Sequence, residues 1–224
     1  MDEWWTYQLS DLILFSSHTY YRLIELYNAA IWPLQIIAII IGCTVLVLVW
    51  RRPHWHGKAI TIILALSWLW IAWSFHWQRF ANIHWVASYF ALGFIIQALL
   101  LIWVGVIKNH MTINLDNIAS QFTGLGILGF AIAIQPFIMM LTGNIWKQVE
   151  LFALTPDPTV TASIGILLLT DIRKHWWLSI IPLVWCVISA ATLWALDSAN
   201  AFVMIAIGLM AIFAWSWKVF MNSK

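Results

Sequence analysis

Apolar residues fill this 224-residue chain in seven long runs, near 29–50, 58–77, 85–107, 121–142, 158–172, 176–196 and 199–217, with short polar loops between them. About 20 apolar residues carry a helix across the hydrocarbon core of a bilayer. Six of the runs are of that order, and the fifth, 158–172, is shorter. None shows the alternation of a barrel strand. Backbone N–H and C=O groups in lipid must also be satisfied within their own segment. The pattern therefore predicts an all-α membrane protein, a seven-helix transmembrane bundle. Residues 1–224 form a single integral membrane domain, with seven transmembrane segments over 29–217 and a tail at 218–224.

Residues 1–28 are too polar to span. Leu9, Leu12, Ile13, Phe15, Tyr20, Leu23, Ile24 and Tyr27 recur at helical intervals among Asp11, Arg22 and Glu25. This predicts one or two amphipathic helices at the outer membrane surface, packed on the bundle. Ser16, Ser17 and Thr19 offer a break and a fresh N-cap between them. The start, Met1-Asp2-Glu3-Trp4-Trp5, is acidic and no cleavable apolar core follows it, so insertion is expected to rely on the first spanning helix.

Composition agrees with the pattern: 63% of residues are hydrophobic, 9% are charged and 18 are tryptophan. The mean hydropathy is +0.87. A soluble domain of this length could not hide that much apolar surface. The placement of charge adds an orientation. With seven spans, Arg51, Arg52, Lys58, Lys108, Arg173, Lys174, Lys218 and Lys224 fall on one face, and Arg22, Arg79 and Lys147 on the other. The richer face is expected in the cytoplasm, which puts the N-terminus outside and the C-terminus inside. Most carboxylates lie on the opposite, outer face. They contribute little to insertion, so the skew points to that face for chemistry. Trp32, Trp77, Trp85 and Trp146 at the outer level, and Trp50, Trp55, Trp176, Trp177, Trp215 and Trp217 at the inner one, form the expected aromatic belts. No basic tract suggests nucleic acid. Cys43 and Cys186 lie mid-run without a CxxC, which argues for free thiols rather than a zinc site or a dithiol.

Gly124-Leu-Gly126-Ile-Leu-Gly129 spells a dinucleotide fingerprint but sits in an apolar helix, where small residues let helices approach. The segment from Glu150 to Thr159, with Pro156-Asp157-Pro158 at its centre, reads either as a tight outer turn with an Asp N-cap or as a broken, re-entrant element. In it Pro158 can open a helix. His76 and Arg79 end the second run and share a face if the helix continues, with His84 following. They read as headgroup anchors, or as an ion-pair cluster or proton relay with Glu25, Glu150 or Asp157. Gln35, Gln97 and Gln135 lie within runs and should face the bundle interior, either in interhelical hydrogen bonds or along a polar path. No charged residue falls at mid-membrane, which weakens a proton-pump reading. No hydrolase elbow, H-E-x-x-H or P-loop lysine occurs, so no enzyme, metal or cofactor is expected.

The opening Trp4-Trp5-Thr6-Tyr7, Leu9-Ser10-Asp11, Leu14-Phe15-Ser16, Thr19-Tyr20-Tyr21-Arg22-Leu23, Glu25-Leu26-Tyr27-Asn28-Ala29 and Trp32-Pro33 resembles the start of an uncharacterised family of bacterial inner-membrane proteins. Such proteins are sometimes loosely labelled permeases. The likeness continues through Trp68-Leu-Trp70, Phe75-His76 to Arg79, Pro156-Asp157-Pro158-Thr159 and Trp185-Cys186. The resemblance implies one multi-spanning domain in a bacterial inner membrane and assigns no catalytic residue.

Two functional readings stay open. One is a permease-like protein for a small polar solute or ion. It would use an outer polar cluster of Asp11, Arg22, Glu25, His76, Arg79, Glu150 and Asp157 above an intramembrane path of Gln35, Gln97 and Gln135. The other is a structural or accessory subunit of a larger membrane complex. The partners expected are the lipid bilayer and other membrane subunits or a second copy. Aqueous access to Gln97 would favour transport, and a tightly packed bundle with a lipid-facing partner groove would favour the subunit.

Overall fold

A computed structural model describes residues 15–113, 118–141, 146–170 and 175–221. Among these, regular structure is helical apart from one antiparallel bridge between Ile113 and Thr170. Helix α1 (Ser17–Ala30) starts at the break expected from the sequence: the Ser16 hydroxyl accepts the N–H of Thr19 at 3.3 Å, satisfying a donor the first turn would leave free. Tyr20, Ile24 and Tyr27, spaced three and four apart, are buried against the bundle. Arg22 and Leu26 face away.

Helix α2 spans Leu34–Arg51, starting later than the first apolar run because α1 takes in Ala29 and Ala30. Helix α3 (His56–Trp70) continues as a π-helical stretch, Ile71–Trp77, and α4 (Ala87–Leu101) likewise as Ile102–Ile107. Helix α5 (Ile118–Gly129) passes through a π-helical turn into α6 (Gln135–Leu141). Helices α7 (Pro156–Leu169), α8 (Ile180–Ala195) and α9 (Ala201–Met221) follow. Five helical segments are long and apolar enough to cross a membrane: Leu34–Arg51, His56–Asn82, Ala87–Ile107, Gln121–Ile138 and Trp176–Ala195. Pro156–Leu169 and Ala201–Trp217 are apolar but shorter.

The shortest apolar run forms the centre of the molecule. Every residue of α7 from Pro156 to Leu169 is buried, its polar Asp157, Thr159, Thr161 and Ser163 included. It packs on α5, α8, α9 and α3. The closest approach is to α5: a Cβ on Gly165 would lie 2.8 Å from the backbone N of Leu128 and 2.9 Å from the carbonyl O of Gly124. So Gly124 serves close helix packing, as its sequence context suggested, whereas Gly126 and Gly129 face open space. On the α3 side the Trp68 indole donates to the Ser163 hydroxyl at 2.9 Å.

The start of α7 corrects the sequence reading of its opening residue. Pro156, not Pro158, takes the first helical position, and Thr155 rather than Asp157 is the N-cap residue. A helix start leaves four N–H groups without intrahelical partners. Here Thr155 N–H is bonded to the Leu151 carbonyl at 3.0 Å, and Pro156 and Pro158 have no N–H at all. Only Asp157 N–H remains, which is how this helix can begin inside the protein.

Candidate functional site

The approach to α7 and its first turn are stitched by hydrogen bonds. Thr159 Oγ1 accepts the N–H of Ala153 at 2.9 Å, and the Tyr27 hydroxyl donates to the Leu154 carbonyl at 2.8 Å. Thr161 and Ser163 hydroxyls donate back to the carbonyls of Asp157 and Thr159. This fixes Asp157 in the first helical turn, where the positive end of the helix dipole favours a carboxylate. From α8, the Trp185 indole donates to Asp157 Oδ1 at 2.8 Å and the Ser189 hydroxyl to Oδ2 at 2.6 Å.

Glu150 stands beside it. Both carboxyls are buried, at 3% and 6% exposure, so this part of the expected outer cluster does not face water. The Tyr20 hydroxyl donates to the Glu150 carboxyl, tying α1 to the acid pair. Burial, and then the neighbouring Asp157 charge, push Glu150 well above the usual carboxylate range, against the opposing effect of the Tyr20 bond. Burial also pushes the Tyr20 hydroxyl far up, followed by the charges of Glu150 and Asp157, so Tyr20 remains a proton donor. Two adjacent acids resist double ionisation, and such a pair titrates as one unit. The arrangement is therefore a buried acid pair in which full ionisation of both members is disfavoured.

His76 is fully buried beside this centre, and neither ring nitrogen has a hydrogen-bond partner. Its ring packs edge-on against Phe94 at 4.6 Å and Trp185 at 5.0 Å, with Phe90 and Phe80 near 6 Å. Trp185 thus touches His76 with its ring and Asp157 with its N–H. The expected shared face of His76 and Arg79 does not form. His76 lies in the π-helical stretch that carries on from α3, which changes the spacing, and Arg79 lines a surface cleft instead. Arg22 pairs with Glu25 at 2.8 Å on the surface of α1. Asp11 lies outside the described residues.

The three glutamines occupy separate places. Gln35 donates to the Asn28 carbonyl at 2.7 Å, and Gln97, fully buried, donates to the Leu178 carbonyl at 2.9 Å. Gln135 is buried, and each of the three leaves its side-chain oxygen without a partner. Tyr20, Trp185 and Ser189 complete the site and were not singled out from sequence as functional. Tyr20 stood out as an apolar helix position and as part of the family resemblance, not as a site residue. Ser189 had no signal, because a lone serine in an apolar run is ordinary. Among the described residues no three His, Cys, Asp or Glu side chains converge as a metal set.

No curated protein and no solved structure matches the chain. One family model does, over residues 17–224, from the first residue of α1 to the end of the chain. That match takes in every residue of the buried acid centre: the chain belongs to DUF6064, a family of unknown function.

Proposed function

We propose that this chain is a permease-like membrane protein that moves a small polar solute or ion together with a proton, with Glu150 and Asp157 as the proton-binding pair. The observation that carries the reading is the burial of two neighbouring carboxyls at the head of a wholly buried helix. Ionisable groups are expensive inside a membrane protein and mark proton or ion pathways. Fastening α7 to α8 would need Asp157 alone, because Glu150 adds a like charge without bonding α8. In this reading the chain crosses a bacterial inner membrane seven times, N-terminus outside, with α7 and α9 as the two shorter crossings. Tyr20 makes α1 the cover of the site, since any change in the proton held by Glu150 changes the bond that α1 makes to it. No covalent step and no cofactor is required.

The test is proton entry into liposomes containing the purified chain, followed with a trapped pH dye while small polar solutes are offered across an imposed pH gradient. Solute-dependent proton entry is expected for the natural chain and is lost in Glu150→Gln and Asp157→Asn. Solute uptake that proceeds equally in both variants would sink the assignment.

A second reading, an accessory subunit, is favoured by a different feature. An apolar cleft of about 710 Å³ runs between the α5–α6 segment and α9, lined by residues including Phe122, Gly126, Phe130, Phe202 and Met210. Gln97, meanwhile, has no exposure to solvent. Gentle purification separates the two readings: a constant membrane partner supports the subunit, and a chain that transports alone does not.

A further inference from the structure

Opposite the buried face of α1 lies a second charged region. A cleft of about 400 Å³ opens between the first turns of α1 and the turn that follows the π-helical end of α3. His18, Arg22 and Leu26 line it from α1, and Arg79, Asn82 and Ile83 from the other side. Among the described residues that line it the charge is net positive. Glu25 offsets part of Arg22, but among the described residues no carboxylate lies within ion-pair distance of Arg79. The first turn of α1 also carries no acid, so the positive end of that helix adds to the potential.

Two more features narrow the occupant. Leu23, Leu26 and Ile83 put apolar surface beside the arginines. Trp77 and Trp85, two residues before and six after Arg79, are exposed at this end of the bundle. Exposed tryptophans of this kind sit at headgroup depth. A cleft that joins guanidinium groups to apolar walls at that depth suits an amphiphile with an anionic head. Arginine matches phosphate in particular, through paired N–H donors. A free anion would gain nothing from the apolar wall.

We propose that this cleft binds the phosphate of an anionic phospholipid, with Arg79 as its main ligand and Arg22 as the second. The site uses none of the residues of the acid pair, so it stands or falls separately from the transport reading.

The experiment uses the full chain in lipid nanodiscs of phosphatidylcholine, with and without phosphatidylglycerol. Thermal midpoints are read, and the anionic lipid retained is counted by native mass spectrometry. Phosphatidylglycerol is expected to raise the midpoint of the natural chain and to remain bound. Arg79→Gln and Arg22→Gln should each lower its affinity by about tenfold, in line with the loss of one charge-assisted contact at a partly exposed site. Arg79→Lys should retain part of the binding, and Arg51→Gln, at the far end of α2, all of it. Inorganic phosphate or glycerol phosphate added to phosphatidylcholine discs should have no effect. A midpoint rise with free phosphate alone would overturn the lipid assignment in favour of a soluble anion. Equal retention of phosphatidylglycerol by Arg79→Gln would overturn the site itself. The lipid exchange on the natural chain needs no variant to fold.

Discussion

Replacing Gly165 with alanine tests whether the centre of the bundle is as tightly built as the structure shows. The added Cβ would meet the Leu128 backbone N at 2.8 Å, the Gly124 carbonyl O at 2.9 Å and the Leu128 Cβ at 3.0 Å. Good non-bonded contacts between carbons lie at about 3.5–4.0 Å, so α5 and α7 must part by roughly half an ångström. Two of the three obstacles are backbone atoms, which cannot swing aside. Overpacking of this kind costs about 1–3 kcal/mol. Alanine recovers about 1 kcal/mol through its better helix propensity. The net expectation is a loss of up to about 2 kcal/mol, or a midpoint lower by up to about 8 °C for a chain of this size. Gly126→Ala, two residues along α5 from Gly124, is the internal control. Its Cβ meets nothing within 4 Å, so only the propensity gain of about 1 kcal/mol remains. The assay is thermal unfolding in mild detergent, read by tryptophan fluorescence. A Gly165→Ala chain stabilised as much as Gly126→Ala would refute the close α5–α7 contact.

Other expectations concern the polar bonds around α7. Ser189→Ala removes the 2.6 Å donor to Asp157 and should cost about 1.5–3 kcal/mol, measured by the same unfolding assay. Ser163→Ala leaves the buried Trp68 indole N–H without its acceptor; a loss of about 1–3 kcal/mol is expected, with a change in tryptophan emission as an independent readout. Stability should also depend on pH through Glu150. Its proton is held more tightly in the folded chain than in the unfolded one. Between the ordinary carboxylate range and the raised folded value, the folded state therefore binds more protons, and stability falls as pH rises. Glu150→Gln should flatten that fall, and an unchanged pH profile in the variant would count against the buried acid.

The long apolar runs were legible because a spanning helix announces itself by length and composition alone. The Ser16 cap was legible because Ser-x-x-Thr leads directly into the spacing of Tyr20, Ile24 and Tyr27. The centrality of α7 was not. Thr155, Thr159, Thr161 and Ser163 look like surface residues, and only the structure shows that their hydroxyls bond nearby carbonyls and a buried N–H. Pro156-Asp157-Pro158 has the chemistry of an exposed turn, yet the same two prolines remove the donors that would make a buried helix start costly. Glu150 and Asp157 were named together with Arg22 and Arg79 as one outer cluster. Folding instead sends Glu150 and Asp157 inward with Tyr20 and leaves Arg22 and Arg79 lining a surface cleft between α1 and the turn after α3. Nothing in sequence spacing distinguishes those two fates, because they depend on which face of α1 meets the bundle. The separation of His76 from Arg79 was likewise hidden, since a π-helical stretch has no plain sequence signature.

The claim that most needs direct measurement is that Glu150 and Asp157 together hold a proton above the ordinary carboxylate range. Infrared spectroscopy of the purified chain reads this through the stretching band of a protonated carboxyl. At a pH just above the ordinary carboxylate range the natural chain should show that band, and it should be lost in Glu150→Gln. Absence of the band in the natural chain, or its persistence unchanged in both Glu150→Gln and Asp157→Asn, would contradict the proton-binding pair and with it the proton-linked reading of this protein.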